Sequence, residues 1–264
     1  MFPYFMLFGK MIGLYQVLAL VGIFVAGIFF CRQLRKAGLD DNDGIVFLLW
    51  VGLGVVVGGS LLYAITQNHL FPLLFRVSDF SQLFTVLRLL FGGLVFYGGL
   101  IGGCLTGLLV IKLKKLPVRR YMDLSAMFIP LFHCFARIGC FLAGCCYGVE
   151  CEFGFTVHGN ELIPPINGVS RFPVQLLESL GCLLIFFLLW FLYRKGKMEG
   201  HLLFVYLGTY AVLRFFDEFL RGDEMRGFVF GISTSQFISI LMAAVSVAGL
   251  FHWLRSYKKS PKKS

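Results

Sequence analysis

Charge is scarce in these 264 residues: Asp, Glu, Lys and Arg together make up only 14%. That is too little to cover a water-soluble domain of this size, whereas a bilayer needs no such cover. Acidic residues are the scarcer sign, at 14 against 24 Lys and Arg. No motif recurs, and no matched pair of broken apolar runs divides the chain into halves, which speaks against an inverted-repeat transporter. Nor is there a polar stretch long enough for a separate soluble domain. What is abundant is apolar: 58% of residues before the 31 glycines are counted, so about 70% lies outside the polar set, against ~45–50% in soluble domains.

Apolar runs of span length predict an all-α integral membrane protein with about seven transmembrane helices. They run from Ile12 to Phe30, Ile45 to Ile65, Leu89 to Ile111, Met122 to Leu142, Val174 to Tyr193, Leu202 to Leu220 and Ile232 to Leu254. The first is expected to stay in the protein, because the residues before Cys31 resemble neither a small-residue cleavage site nor a lipoprotein cleavage box. Residues 1–254 read as a single transmembrane domain and 255–264 as a basic cytoplasmic tail. Lys and Arg divide unequally between the two sets of connections. Sixteen fall at Arg32 to Lys36, Lys112 to Arg120, Arg194 to Lys197 and Arg255 to Lys263; six fall at Lys10, Arg76, Arg88, Arg171, Arg221 and Arg226. The positive-inside rule then puts the N-terminus outside and the C-terminus in the cytoplasm. The net charge of +10 is read as topology and attraction to anionic lipid, with no nucleic-acid partner. The two longest connections, Thr66 to Arg88 and Gly144 to Phe172, lie on the outer side, so function is expected to face outward.

Ionisable groups inside spans are expensive and persist only when paired or wet. Arg137 has Phe141, His133, Cys140 and Cys134 at helical-neighbour positions, none of them acidic, and so needs a partner from elsewhere. Arg214 can pair with Glu218, and Asp217 with Arg221, each four residues apart. Two guanidiniums at similar depth can instead grip a phosphodiester, for which the planar fork suits better than an ammonium. A lipid head group is the obvious anion there. His133, one helical turn before Arg137, is either a base or a histidine satisfied by a neighbouring carbonyl.

The run from Phe91 to Gly103 repeats glycine at four-residue spacing, the pattern of closely packed helices, and it also leaves bare backbone that a head group or Tyr97 could approach. Cys140, Cys145, Cys146 and Cys151 form C-x4-C-C-x4-C, a poor match to the C-x2-C pairs of zinc sites; structural thiols or one or two disulfides are expected, with a catalytic role and a metal site as the alternatives. Cys31, Cys104, Cys134 and Cys182 are read as packing residues. No cofactor is read from the sequence.

The segment Arg137-Ile-Gly-Cys-Phe-Leu-Ala-Gly-Cys-Cys-Tyr-Gly148 resembles the signature of the prolipoprotein diacylglyceryl transferases, in particular a cysteine-rich branch. The resemblance extends to Tyr97-Gly-Gly-Leu-Ile-Gly102, Phe172-Pro-Val-Gln-Leu-Leu-Glu178, Tyr210 to Arg221 and Ser235-Gln236, in family order. It implies seven spans, residence in the bacterial plasma membrane, and transfer of diacylglyceryl from phosphatidylglycerol to the lipobox cysteine of a prolipoprotein signal segment. Arg137, Arg214, Tyr97 and Glu178 become candidate catalytic residues, the arginines on the lipid phosphate and Glu178 pairing with one of them. Gly98, Gly99, Gln175, Glu218 and Arg221 join the arginines as candidate substrate-binding residues. The chain departs from the family pattern at Tyr97, where many members have His, at Cys140, where they have Asn, and at Cys145, where they have Glu. The alternatives are a related anionic-lipid-binding protein with another acceptor, and a small-solute transporter.

Overall fold

The structure is a computed structural model that describes residues 4–7, 10–75, 77–158, 160, 166–223, 227–229 and 231–259. Arg76, Arg226 and the last five residues of the expected tail lie outside the described residues. A hairpin of β1 (Tyr4–Leu7) and β2 (Lys10–Gly13) leads into α1 (Leu14–Lys36), followed by α2 (Asp41–Thr66), α3 (Phe71–Leu74), α4 (Phe80–Phe91), α5 (Phe96–Leu113) and α6 (Val118–Ala143). Then β3 (Glu150–Thr156) pairs antiparallel with β4 (Ser170–Arg171). Next come α7 (Val174–Arg194), α8 (Leu202–Asp217), the short antiparallel pair β5 (Phe228–Val229) and β6 (Ile232–Ser233), and α9 (Thr234–Lys259).

Among the described residues, α1, α2, α6, α7 and α9 are long and apolar enough to cross a membrane, and α4 and most of α5 are shorter apolar helices. The chain is a multi-pass membrane protein. Five of the seven expected spans fall on the membrane-length helices. The third divides, because α4 stops before Gly92-Gly93 and α5 starts only at Phe96. The sixth is shortened to sixteen residues, because the chain tightens after Asp217 into a 3₁₀ turn over Glu218–Leu220.

The chain falls into two compact units, residues 31–118 and residues 1–30 with 119–264. In the first, α2 starts where the Asp40 carboxylate accepts a hydrogen bond from the Asn42 N–H at 2.8 Å, with Asp41 and Asp43 facing the positive end of the helix dipole. It packs on α5 through glycines on both sides. A Cβ on Gly98 would lie 2.2 Å from the Gly58 carbonyl oxygen, and one on Gly102 would lie 2.1 Å from that of Gly54. Only backbone fits in that seam. Cys104 looks away from it and is exposed, contrary to the packing role expected of it, because it shares the outer apolar face of α5 with Leu105 and Leu108.

In the second unit α6 is the central helix. Its buried residues run from Tyr121 through Leu131 and Cys134 to Cys140, with Pro130 among them. Beside it α7 buries Val174, Gln175, Glu178, Cys182, Ile185 and Leu189, the three- and four-residue spacing of one helix face. Its opposite face exposes Leu180, Leu184, Phe187 and Phe191, as lipid contact requires. Ser179 Oγ donates to the Cys134 carbonyl at 2.9 Å and joins the two helices. At the opposite end of α6 the buried Asp123 carboxylate accepts from the backbone N–H groups of Gly200 at 2.6 Å and Leu202 at 3.1 Å, which satisfies the start of α8. Ser246 Oγ donates to the Phe204 carbonyl at 2.7 Å and ties α9 to α8.

Candidate active site

Arg137 sits 7% exposed on the last turns of α6, and its carboxylate partner comes from the next helix. Glu178, 2% exposed in the second turn of α7, places Oε2 at 2.6 Å from Arg137 Nη2. That ion pair engages Nη2, and the buried Nε has no hydrogen-bond acceptor among the described residues. The other Glu178 oxygen, Oε1, accepts from Tyr210 Oη on α8 at 3.1 Å. His133 Nε2 stands 3.6 Å from the same oxygen, beyond hydrogen-bond length, with its ring against that of Tyr210. One carboxylate thus gathers groups from α6, α7 and α8.

Arg214 completes the arrangement from α8. Nη2 lies 2.9 Å from Glu218 Oε2 and donates to Ser235 Oγ on α9 at 2.9 Å, while the buried Nη1 has no acceptor among the described residues. Of the two helical charge pairs expected here, only Arg214 with Glu218 forms. The 3₁₀ turn carries Arg221 out of helical register into extended backbone, and its guanidinium takes both oxygens of Asp223, Nε at 2.9 Å and Nη2 at 2.5 Å.

The segment after α6 folds back over this end of the unit. Gly144, at φ +74°, ends the helix with the Cys145 N–H on the Cys140 carbonyl at 3.1 Å. Cys146 is also left-handed at φ +55°, an uncommon conformation for a residue with a side chain. Gln175 Nε2 donates to the Cys145 carbonyl at 2.8 Å, so this candidate binding residue braces the turn against α7. The Sγ atoms of Cys140, Cys145 and Cys146 all lie within 4.8 Å of one another, close enough to share a metal ion, while Cys151 on β3 is outside the group. The neighbouring Cys140 and Cys145 side chains favour the thiolate at Cys146, helped by Arg137 and Arg221 and opposed by burial. The same contacts and burial keep Cys145 protonated. None of the eight cysteines is in a disulfide, so the one or two disulfides expected from the sequence do not form here.

The candidate residues therefore distribute as follows. Arg137, Gln175, Glu178, Arg214, Glu218 and Arg221 stand in the unit built on α6 to α9, whereas Tyr97, Gly98 and Gly99 begin α5 in the other. Tyr97 is 41% exposed, and Gly98 spends its bare face on α2. Tyr210 and Ser235 belong to the site, but the sequence analysis named them only within the blocks that carry the resemblance and gave neither a role. Tyr210 had a signal: Tyr206, Tyr210, Arg214 and Glu218 recur at four-residue spacing, a polar stripe on one face of an otherwise apolar helix.

Comparison with known proteins decides the family. Residues 3–252 match the family described as prolipoprotein diacylglyceryl transferase. The chain is a member of that family. The phosphatidylglycerol–prolipoprotein diacylglyceryl transferase of Clostridium tetani is 37% identical over 246 residues, covering 92% of this chain and 94% of the relative. A second transferase of that name from Clostridium perfringens is 35% identical, covering 89% of each, and one from Helicobacter hepaticus is 29% identical, covering 94% of this chain and 87% of its own.

Proposed function

We propose that this transferase moves the diacylglyceryl group of phosphatidylglycerol to the lipobox cysteine of prolipoproteins in the bacterial plasma membrane, with Arg137 and Arg214 holding the lipid phosphate. The observation that carries this assignment of residues is the state of the two guanidiniums. Each is fixed on one side by a carboxylate, Glu178 or Glu218, and each keeps a buried nitrogen without a well-directed acceptor. A buried donor left unmade costs free energy, and a phosphodiester supplies the missing oxygens.

In the reaction the acceptor sulfur attacks the diacylglyceryl carbon that bears the phosphate. The C–S bond forms as the C–O bond breaks, the electron pair leaves with glycerol phosphate, and the thiol proton passes to a base or solvent. Charge grows on the departing phosphate oxygen, so donors already in place there lower the barrier without reorganising. Glu178 and Tyr210 act as positioning residues, holding Arg137 at a fixed angle. Seven spans with the N-terminus outside would put this end of α6 on the outer side, where the lipid and the signal segment meet. Residues 1–254 then act as the membrane domain and 255–264 as its cytoplasmic tail.

The test is complementation of a strain depleted of its own diacylglyceryl transferase, together with mass spectrometry of a reporter lipoprotein. Growth with a diacylglyceryl-modified reporter is the expected result. Normal accumulation of the chain in the membrane with no modified reporter would reject the proposal.

A further inference from the structure

We propose that Cys140, Cys145 and Cys146 form a three-thiolate site for zinc, whose open fourth position takes the acceptor thiol. The inference rests on the transferase reading and deepens it. The first observation is convergence: three sulfurs lie within 4.8 Å of one another at the end of a buried helix. A zinc ion at its usual Zn–S distance of about 2.3 Å holds sulfurs about 3.8 Å apart, so small side-chain rotations close the set. The second is that the backbone is built to bring them together. Two left-handed residues, Gly144 and Cys146, turn the chain back on α6, and the turn is braced by Gln175 Nε2 on the Cys145 carbonyl and by Asn160 Nδ2 on the Ala143 carbonyl at 3.2 Å. A strained, braced turn is a feature of sites more than of plain connections.

The third observation is charge. Three thiolates around a divalent ion carry one net negative charge, and Arg137 Nη1 already lies 3.8 Å from Cys140 Sγ. Soft sulfur donors select zinc over magnesium or calcium, and three ligands with one open position are the pattern of catalytic rather than structural zinc. A thiol that binds such an ion loses its proton to solvent and stays nucleophilic as the bound thiolate. Here that thiolate would stand beside the arginine on the leaving phosphate. Transfer converts it to a neutral thioether, which coordinates weakly and leaves, restoring the open position. This also supplies thiol activation in a chain that has Tyr97 where many family members have histidine.

The experiment uses the full chain purified in detergent under reducing conditions. Expected are about one zinc per chain by elemental mass spectrometry and, after exchange to cobalt, sulfur-to-cobalt charge-transfer absorption that shifts when a lipobox peptide with a free cysteine is added and does not shift with its serine analogue. Cys140→Ser, Cys145→Ser and Cys146→Ser should each lower zinc affinity about tenfold or more, while Cys151→Ser keeps it. A wild-type chain that takes up neither zinc nor cobalt through sulfur overturns the proposal without any variant. So does full transfer by metal-free protein, which leaves the transferase reading intact. Cobalt absorption that responds to the cysteine peptide in a protein that transfers no lipid supports the site and rejects the transferase reading.

Discussion

A single carboxylate, Glu178, sets the geometry of the candidate site, because Arg137 has no acid within a helical turn of it on α6 and Tyr210 donates to the same group. If Arg137 and Arg214 hold the phosphate, then Arg137→Ala and Arg214→Ala should each lower transfer about 10²-fold or more in proteoliposomes, with the protein still in the membrane. Lys at either position should recover little, since one ammonium cannot reproduce the fork. Wild-type rates in either alanine variant would remove the arginine from the mechanism. Tyr97 is the position where the chain departs from a common family histidine. Tyr97→Phe should lower transfer more than Tyr97→His, because imidazole restores a group that exchanges protons near neutral pH. Equal rates for Tyr97→Phe and wild type would leave Tyr97 a packing residue.

At the scale of the elements, the α2–α5 seam and the start of α8 rest on single atoms. Gly102→Leu puts side-chain atoms where the Gly54 carbonyl oxygen stands and should destabilise the protein by at least about 1–3 kcal/mol, read as a lower unfolding midpoint in detergent. Asp123→Ala leaves the N–H groups of Gly200 and Leu202 without their acceptor inside the protein, a cost of about 1–3 kcal/mol in the same assay. The helices were legible in the sequence because hydrophobic length is a local property: most expected spans lie within a few residues of α1, α2, α6, α7 and α9. The break at Gly92-Gly93 was not, since apolar residues continue through it and only backbone geometry interrupts the helix. The partner of Arg137 was unreadable from spacing, because it arrives from α7 across 41 residues of chain. The nearness of Cys140, Cys145 and Cys146 was not legible in their spacing, because a left-handed turn, rather than a fixed interval, brings the sulfurs together.

For the whole molecule, the unequal division of basic residues predicts the C-terminus in the cytoplasm, so green fluorescent protein fused after Ser264 should fluoresce and alkaline phosphatase fused there should be inactive. The opposite result would invert the membrane orientation on which an outward-facing site depends. The Arg137–Glu178 contact also bears on how the protein is made. At about 5–20 residues per second, a ribosome completes Glu178 roughly 2–8 s after Arg137, so α6 enters the translocon with its guanidinium unmatched. An arginine opposes insertion by about 2.5–3.5 kcal/mol at a helix centre and by less toward the end where Arg137 stands, and the apolar turns around Leu124, Met127 and Leu131 have to hold the helix in the bilayer during that interval. Nascent chains halted soon after α6 should therefore slip from the membrane more often than chains halted after α7, and Arg137→Leu should abolish the difference.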